Sequence, residues 1–302
     1  MKSEREILID FMQILGQYNP SSKQYECFFK LKNGQECDGD IEAIHEKYLQ
    51  FYPWYYSQEW QHCGYEKQFL RDEDDEDEDI DFILIPLNDI DLTNLYYWNE
   101  QSCCFISLEW NVTQNCFIHN ETVPGSVPLP TYLQEDIPED DKRLKEVGYW
   151  QSDSNRPYYP HPKHLLKQRW RKSERNQIID YLKAGHICGA RHDSRSSFCN
   201  FDCFSRDRFE KLNQIEERKL TYEMLKMGTC DLLSDGEWIW PIRLAHYIEK
   251  HDIYLPDEFI LTMQKNSWSV PQNIDFQHYW QLGANESFWI NWAIKYTQTN
   301  QT

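Results

Sequence analysis

Apolar residues recur at helical spacing over Glu4–Leu15, where Ile7, Leu8, Phe11, Met12, Ile14 and Leu15 define one face. Gly16 and the Asn19-Pro20 pair end that helix. The pattern then shortens. Tyr25–Leu31 predicts a strand, and Asn33-Gly34 after it predicts a hairpin turn, because both positions tolerate positive φ. Ile41–Tyr52 predicts a second helix, ended by Pro53. Phe82–Ile85, Cys103–Trp110 and Cys116–His119 predict further strands, completing a small antiparallel sheet. Pro124–Pro130 and the acidic stretch Glu135–Asp141 read as connecting structure, which sets a domain boundary near Gly148.

Beyond that boundary the prolines of Arg156–Trp170 predict an extended arm. Ser173 is placed to cap a helix running to Ala184, with Gly185 as its left-handed stop. Arg206–Met227 is rich in good helix formers and predicts one long helix. The stretch Asp231–Phe259 organises this half. It reads as a turn, a tryptophan-rich run, a short helix opened by Pro241, two histidines, and a helix opened by Pro256. Asp235, Gly236, Trp238, Trp240, Pro241, His246 and Tyr247 form its expected structural hub. Near the end, Phe288, Trp289, Trp292 and Tyr296 fall on one helical stripe that suits core packing. The fold class expected is α+β, with an acidic α+β domain over residues 1–148 and a mainly helical domain over 149–302.

Composition narrows the class. At 302 residues and 40% hydrophobic content the chain can bury a sizeable core, which excludes a disordered protein. No basic patch followed by an apolar run opens the chain, and the longest apolar run, Phe82–Leu87, is far shorter than the ~20 residues that cross a bilayer. A cytoplasmic protein without a membrane partner is expected. Ten cysteines without a leader then read as thiols or metal ligands rather than a disulfide framework.

Charge is distributed unevenly. Residues 1–150 hold 31 acids and 11 bases, a net of −20, whereas residues 151–302 hold 19 acids and 20 bases, a net of +1. Eight of those acids are consecutive: Asp72, Glu73, Asp74, Asp75, Glu76, Asp77, Glu78 and Asp79. So dense a run repels itself and reads as a solvated loop, while its lack of alternation and of a turn glycine argues against a calcium loop. A basic protein would be steered toward the first half, and nucleic acid would be repelled by it. The positive charge of residues 156–219 has no nucleic-acid-binding motif around it.

One cluster has the chemistry of a metal site. Cys199 and Cys203 form a C-x3-C pair, and His246 and His251 form an H-x4-H pair, with Cys230 as an alternate ligand. Structural zinc takes four such sulfur and nitrogen ligands, commonly in two local pairs. Geometry sets a condition, because five residues of an ideal α-helix leave the histidines about 140° apart. Both reach one ion only if the helix tightens or ends between them, and Asp252 is compatible with an end there.

Tyr159-Pro160-His161-Pro162, Glu174-Arg175, Tyr181-Leu182 with Gly185, Ser197–Cys203, Asp235-Gly236 with Trp238, Trp240-Pro241 and Leu244-Ala245-His246-Tyr247, then His251 and Leu255-Pro256 with Glu258-Phe259, resemble a bacterial family of uncharacterised proteins. The resemblance covers Tyr158–Phe259 and implies a small helical module carrying a cysteine pair and the two histidines. Here three residues rather than two separate the cysteines, and Phe204–Met227 reads as an insertion.

No catalytic constellation emerges. The function expected is therefore protein binding, as an immunity- or antitoxin-like inhibitor whose acidic half blocks a basic effector. A metal-dependent hydrolase or nuclease using His246, His251, Asp235 and the cysteines is the alternative.

Overall fold

A computed structural model describes residues 2–18, 25–53, 65, 67–71, 79–99, 104–134, 141–154, 156–168, 170–190, 199–201, 203, 231–274 and 283–300. The chain forms two compact units. One comprises Met1–Thr122 with Asn155–Pro157, and the other comprises Val123–Ser154 with Tyr158–Thr302. Val123–Gly148, read above as part of the first domain, thus groups with the second unit.

The first unit is an antiparallel sheet carrying one long helix. Helix α1, Glu4–Tyr18, runs one turn beyond its expected end and buries Ile7, Leu8, Phe11 and Leu15. Strands β1 (Tyr25–Leu31), β2 (Glu36–Ile44), β3 (Tyr48–Pro53), β4 (Lys67–Arg71), β5 (Asp79–Pro86), β6 (Ile90–Asn99), β7 (Cys104–Asn111) and β8 (Cys116–Glu121) lie in the order β4-β5-β3-β2-β1-β6-β7-β8. Every neighbouring pair is antiparallel. The sheet is antiparallel as expected, but it has eight strands and is not small.

Alternation places Cys27, Phe29 and Leu31 of β1 in the core with α1, while Phe28 faces the opposite side. There Tyr96 meets Phe28 edge-on at 5.8 Å, and Arg156 lies over the Phe28 ring and pairs with Asp38. Asn33-Gly34 makes the expected turn between β1 and β2, with Gly34 at φ 90°. The helix expected over Ile41–Tyr52 does not form. That segment is the second hairpin, β2–β3, in which Leu49 and Phe51 alternate inward and His45 N–H donates to Tyr48 O.

The mainly helical second half is likewise overturned. Its centre is a five-stranded mixed sheet of order β10-β11-β12-β9-β13, formed by β9 (Leu144–Glu146), β10 (His186–Ala190), β11 (Asp231–Ser234), β12 (Trp238–Pro241) and β13 (Ala284–Asn285). The strands β12 and β13 flank β9 in parallel, and the pairs β10–β11 and β11–β12 are antiparallel. Three of these strands lie within Tyr158–Phe259, so the small helical module implied by the family resemblance is not what this chain forms. All four residues of β12 are buried, which removes the polar–apolar alternation by which a strand is recognised.

Among the described residues, four helices of eight residues or more belong to this unit: α2 (Arg175–Lys183), α3 (Leu244–His251), α4 (Asp257–Lys265) and α5 (Glu286–Asn300). Ser173 does not cap α2; the N-cap is Glu174, preceded by a turn. Gly185 is not left-handed either. A Cβ there would lie 2.6 Å from Trp240 Cζ2 and 2.8 Å from Leu233 Cβ, so the residue is required by close packing. Pro241 ends β12 and leaves the opening of α3 to Leu244, whereas Pro256 caps α4 as expected. The long helix expected over Arg206–Met227 lies outside the described residues.

Trp238 and Trp240 are fully buried from β12. The Trp238 indole N–H donates to Thr262 Oγ1 of α4 at 3.1 Å, and the Trp240 indole N–H donates to Leu182 O of α2 at 3.0 Å. Burying an indole of about 200 Å² contributes roughly 5 kcal/mol of gross hydrophobic stabilisation. Paired donors avoid the penalty of leaving the N–H groups unsatisfied. Trp289 of α5 stacks on Trp292, and Trp292 on Tyr296, which realises the aromatic stripe. Among the described residues, no helix is long and apolar enough to cross a membrane.

Candidate metal centre

Helix α3 presents the two histidines at the end of the hub. Leu244, Ala245, Tyr247 and Ile248 bury its inner face. Its first turn is tight, since His246 N–H donates to Arg243 O at 2.9 Å in an i to i−3 bond. It stops at His251, where Asp252 adopts the left-handed conformation at φ 53° and Arg175 donates to Ile248 O. The tight turn precedes His246 and the helix runs unbroken through His251, so the tightening or ending expected between the two histidines does not occur.

The histidines converge on the cysteine pair. Nε2 of His246 lies 3.3 Å from Nε2 of His251 and 3.4 Å from Cys199 Sγ. Nε2 of His251 lies 3.2 Å from both Cys199 Sγ and Cys203 Sγ. All four ligand atoms fall within 4.8 Å of one another. A tetrahedron of zinc bonds has N–N edges of about 3.3 Å and S–N edges of about 3.6 Å; the histidine pair has that spacing, the sulfur–nitrogen pairs at 3.2–3.4 Å are slightly closer, and a spread of up to 4.8 Å would narrow on binding a shared ion.

The surroundings hold the cysteine turn in place. Phe201 N–H points at Cys199 Sγ at 3.5 Å, and its ring stacks on His251 with centroids 4.4 Å apart. Tyr247 O–H donates to Asn200 Oδ1 at 2.5 Å and accepts from Asn200 N–H at 3.1 Å, tying the turn to α3. Asn200 also meets Ser152 Oγ at 3.2 Å. Beneath them Trp150 packs edge-on against Tyr247 and Trp289. None of Ser152, Asn200 and Phe201 was singled out in the sequence; Asn200 and Phe201 lay inside the C-x3-C spacing, where only tertiary contact gives them a role.

Burial governs the electrostatics. It pushes the Cys199 thiol up to about 12, assisted by the neighbouring Cys203, and pushes His246 down to about 4, assisted by His251. His251 is lowered for the same reason, with Lys250 contributing. Protein groups alone thus favour a neutral Cys199 thiol and neutral imidazoles. A dication reverses the preference of Cys199 while keeping the imidazoles neutral, which is the protonation state that ligation requires.

No protein-family model, curated protein or solved structure matches this chain.

The remaining candidates are placed as follows. Asp235 and Gly236 form the turn between β11 and β12; Asp235 Oδ1 accepts from the N–H groups of Glu237 and Trp238, and Oδ2 accepts from Tyr181 O–H at 2.7 Å. Trp238, Trp240, Pro241 and Tyr247 are buried around the same strand and helix. Cys230 and Asp72–Glu78 lie outside the described residues, and Asp79 begins β5.

Proposed function

We propose that this chain is a protein-binding module whose second unit is closed by one structural zinc ion on Cys199, Cys203, His246 and His251. The convergence of those four ligand atoms within 4.8 Å of one another carries the reading. Two thiolates and two neutral imidazoles balance the charge of the dication and fill its four positions, which is the pattern of a structural rather than a catalytic centre. The ion would link a turn without regular secondary structure to α3.

Two observations count against the hydrolase reading. Asp235 is engaged by its own turn and Tyr181, and Glu237 pairs with Lys145 at 3.2 Å, so neither stands as an acid/base group beside the cluster. In the basic stretch, Arg171 pairs with Glu174 and Asp257, Arg175 with Asp252, and Lys183 with Glu249, which lowers the charge left for phosphates.

Met1–Thr122 holds 25 acids and 8 bases, a net of −17, and this field selects a basic protein as partner, as an immunity-like inhibitor would. The test has two arms. Elemental analysis of the purified chain should give one zinc per chain, and chelation should abolish the cooperative unfolding transition of the second unit. Polylysine should bind at low salt, and replacing Asp72–Asp79 by Asn and Gln should weaken that binding. A metal-free protein that unfolds cooperatively, or polylysine binding indifferent to salt, would overturn the respective arm.

A further inference from the structure

We propose that the Cys199–Cys203 pair is a thiol switch, in which a hydroperoxide joins the two sulfurs as a disulfide and expels the ion. This rests on the zinc reading above and adds to it a condition under which the ion leaves.

Three features support the switch. The two sulfurs already share a sphere in which no ligand atoms are more than 4.8 Å apart, so they need to close only to about 2.05 Å to bond. They sit four residues apart in a turn rather than on a strand or helix, so that closure breaks no backbone ladder. Cys203 is partly exposed whereas Cys199 is buried, which gives an oxidant one accessible sulfur and keeps the other in reserve to resolve the intermediate. The one other described cysteine of this unit, Cys188, is buried in β10 with its thiol against Leu232 O.

The chemistry balances with the oxidant supplied from outside. The Cys203 thiolate attacks the peroxide oxygen, an S–O bond forms, the O–O bond breaks, and the leaving oxygen takes up a proton. The Cys199 thiolate then attacks the sulfenic sulfur, the S–S bond forms, the S–O bond breaks, and hydroxide departs to become water. Two electrons pass from the sulfur pair to the peroxide, and zinc leaves with its charge unchanged. Once both thiolates are consumed, His246 and His251 alone hold the ion, and the turn keeps its contacts to α3 through Asn200 on Tyr247 and Phe201 on His251.

The experiment uses the full chain, first assayed for zinc and reconstituted with zinc if needed. It is then titrated with hydrogen peroxide while released zinc is read with a chromogenic chelator and intact mass is followed. The expected result is one zinc released for each loss of 2 Da, a peptide linking Cys199 to Cys203, and recovery of both after dithiothreitol and zinc. Cys116→Ser, which removes an exposed thiol of the first unit, should leave the zinc release unchanged. Zinc retained at peroxide levels that oxidise Cys116 would overturn the switch while leaving the structural zinc intact. Release accompanied by gains of 32 or 48 Da would also overturn it, because that is irreversible damage. A chain that takes up no zinc overturns both proposals.

Discussion

The Nε2 atoms of His246 and His251 stand 3.3 Å apart although five residues separate them on one helix. An ideal helix splays such positions by about 140°, and α3 runs unbroken through both, so the reach of the two side chains rather than a break in the backbone brings the rings together. Replacing His251 by Ala removes one ligand and the ring on which Phe201 stacks. Zinc affinity should fall by more than the roughly 10–100-fold typical of losing an outer-shell partner. Competition with a chelating dye measures it, and unchanged affinity would place the ion elsewhere.

Acid should weaken the second unit. Burial holds His246 at about 4 against its usual 6.5, and holds His251 low as well. Between those values the unfolded chain binds protons that the folded chain does not, so stability falls as pH falls through that window and is fully present above it. Zinc changes the magnitude and not the sign, since protons compete with the ion for the same nitrogen and sulfur atoms. Urea midpoints measured from about pH 7 to about pH 5 should decrease, more steeply with zinc than without.

Gly185→Ala tests the packing of β12. The added methyl meets Trp240 and Leu233 at less than 3 Å, in a backbone conformation that carries no strain of its own. Overpacking of this kind costs about 1–3 kcal/mol, to be read from the shift of a denaturant midpoint at unchanged slope.

At Asp235 burial raises the carboxyl, and the carboxylate is held by two backbone N–H groups and Tyr181 O–H. Asp235→Ala leaves those three donors without their acceptor and should cost about 2–3 kcal/mol. Asp235→Asn keeps one acceptor oxygen for the turn and should cost less than half as much. Equal losses for the two substitutions would show that the turn does not depend on the Oδ1 acceptor.

Much of the first unit was legible because its signals are local. Helix α1, strand β1 and the Asn33-Gly34 turn each follow from periodicity or backbone preference within a dozen residues. Ile41–Tyr52 misled because Ile41, Ile44, Tyr48 and Tyr52 also fit helical spacing, and nothing inside the segment reveals that β1 and β5 flank the hairpin. In the second unit the strands are two to five residues long. The β9–β12 pair joins Lys145 to Trp238 across the length of the unit, so the sheet has no local signature.

The sequence by itself supplied a candidate donor set, two cysteines and two histidines at short spacings, with Cys230 left open as an alternate. It also determined the charge imbalance, which is a matter of counting. Only the tertiary structure decided that both pairs meet, because a 43-residue separation between Cys203 and His246 is closed by the sheet, by α3 and by Asn200 against Tyr247. Ligand identity is written in single residues, whereas ligand convergence depends on how long-range packing fixes the ends of a helix and a turn.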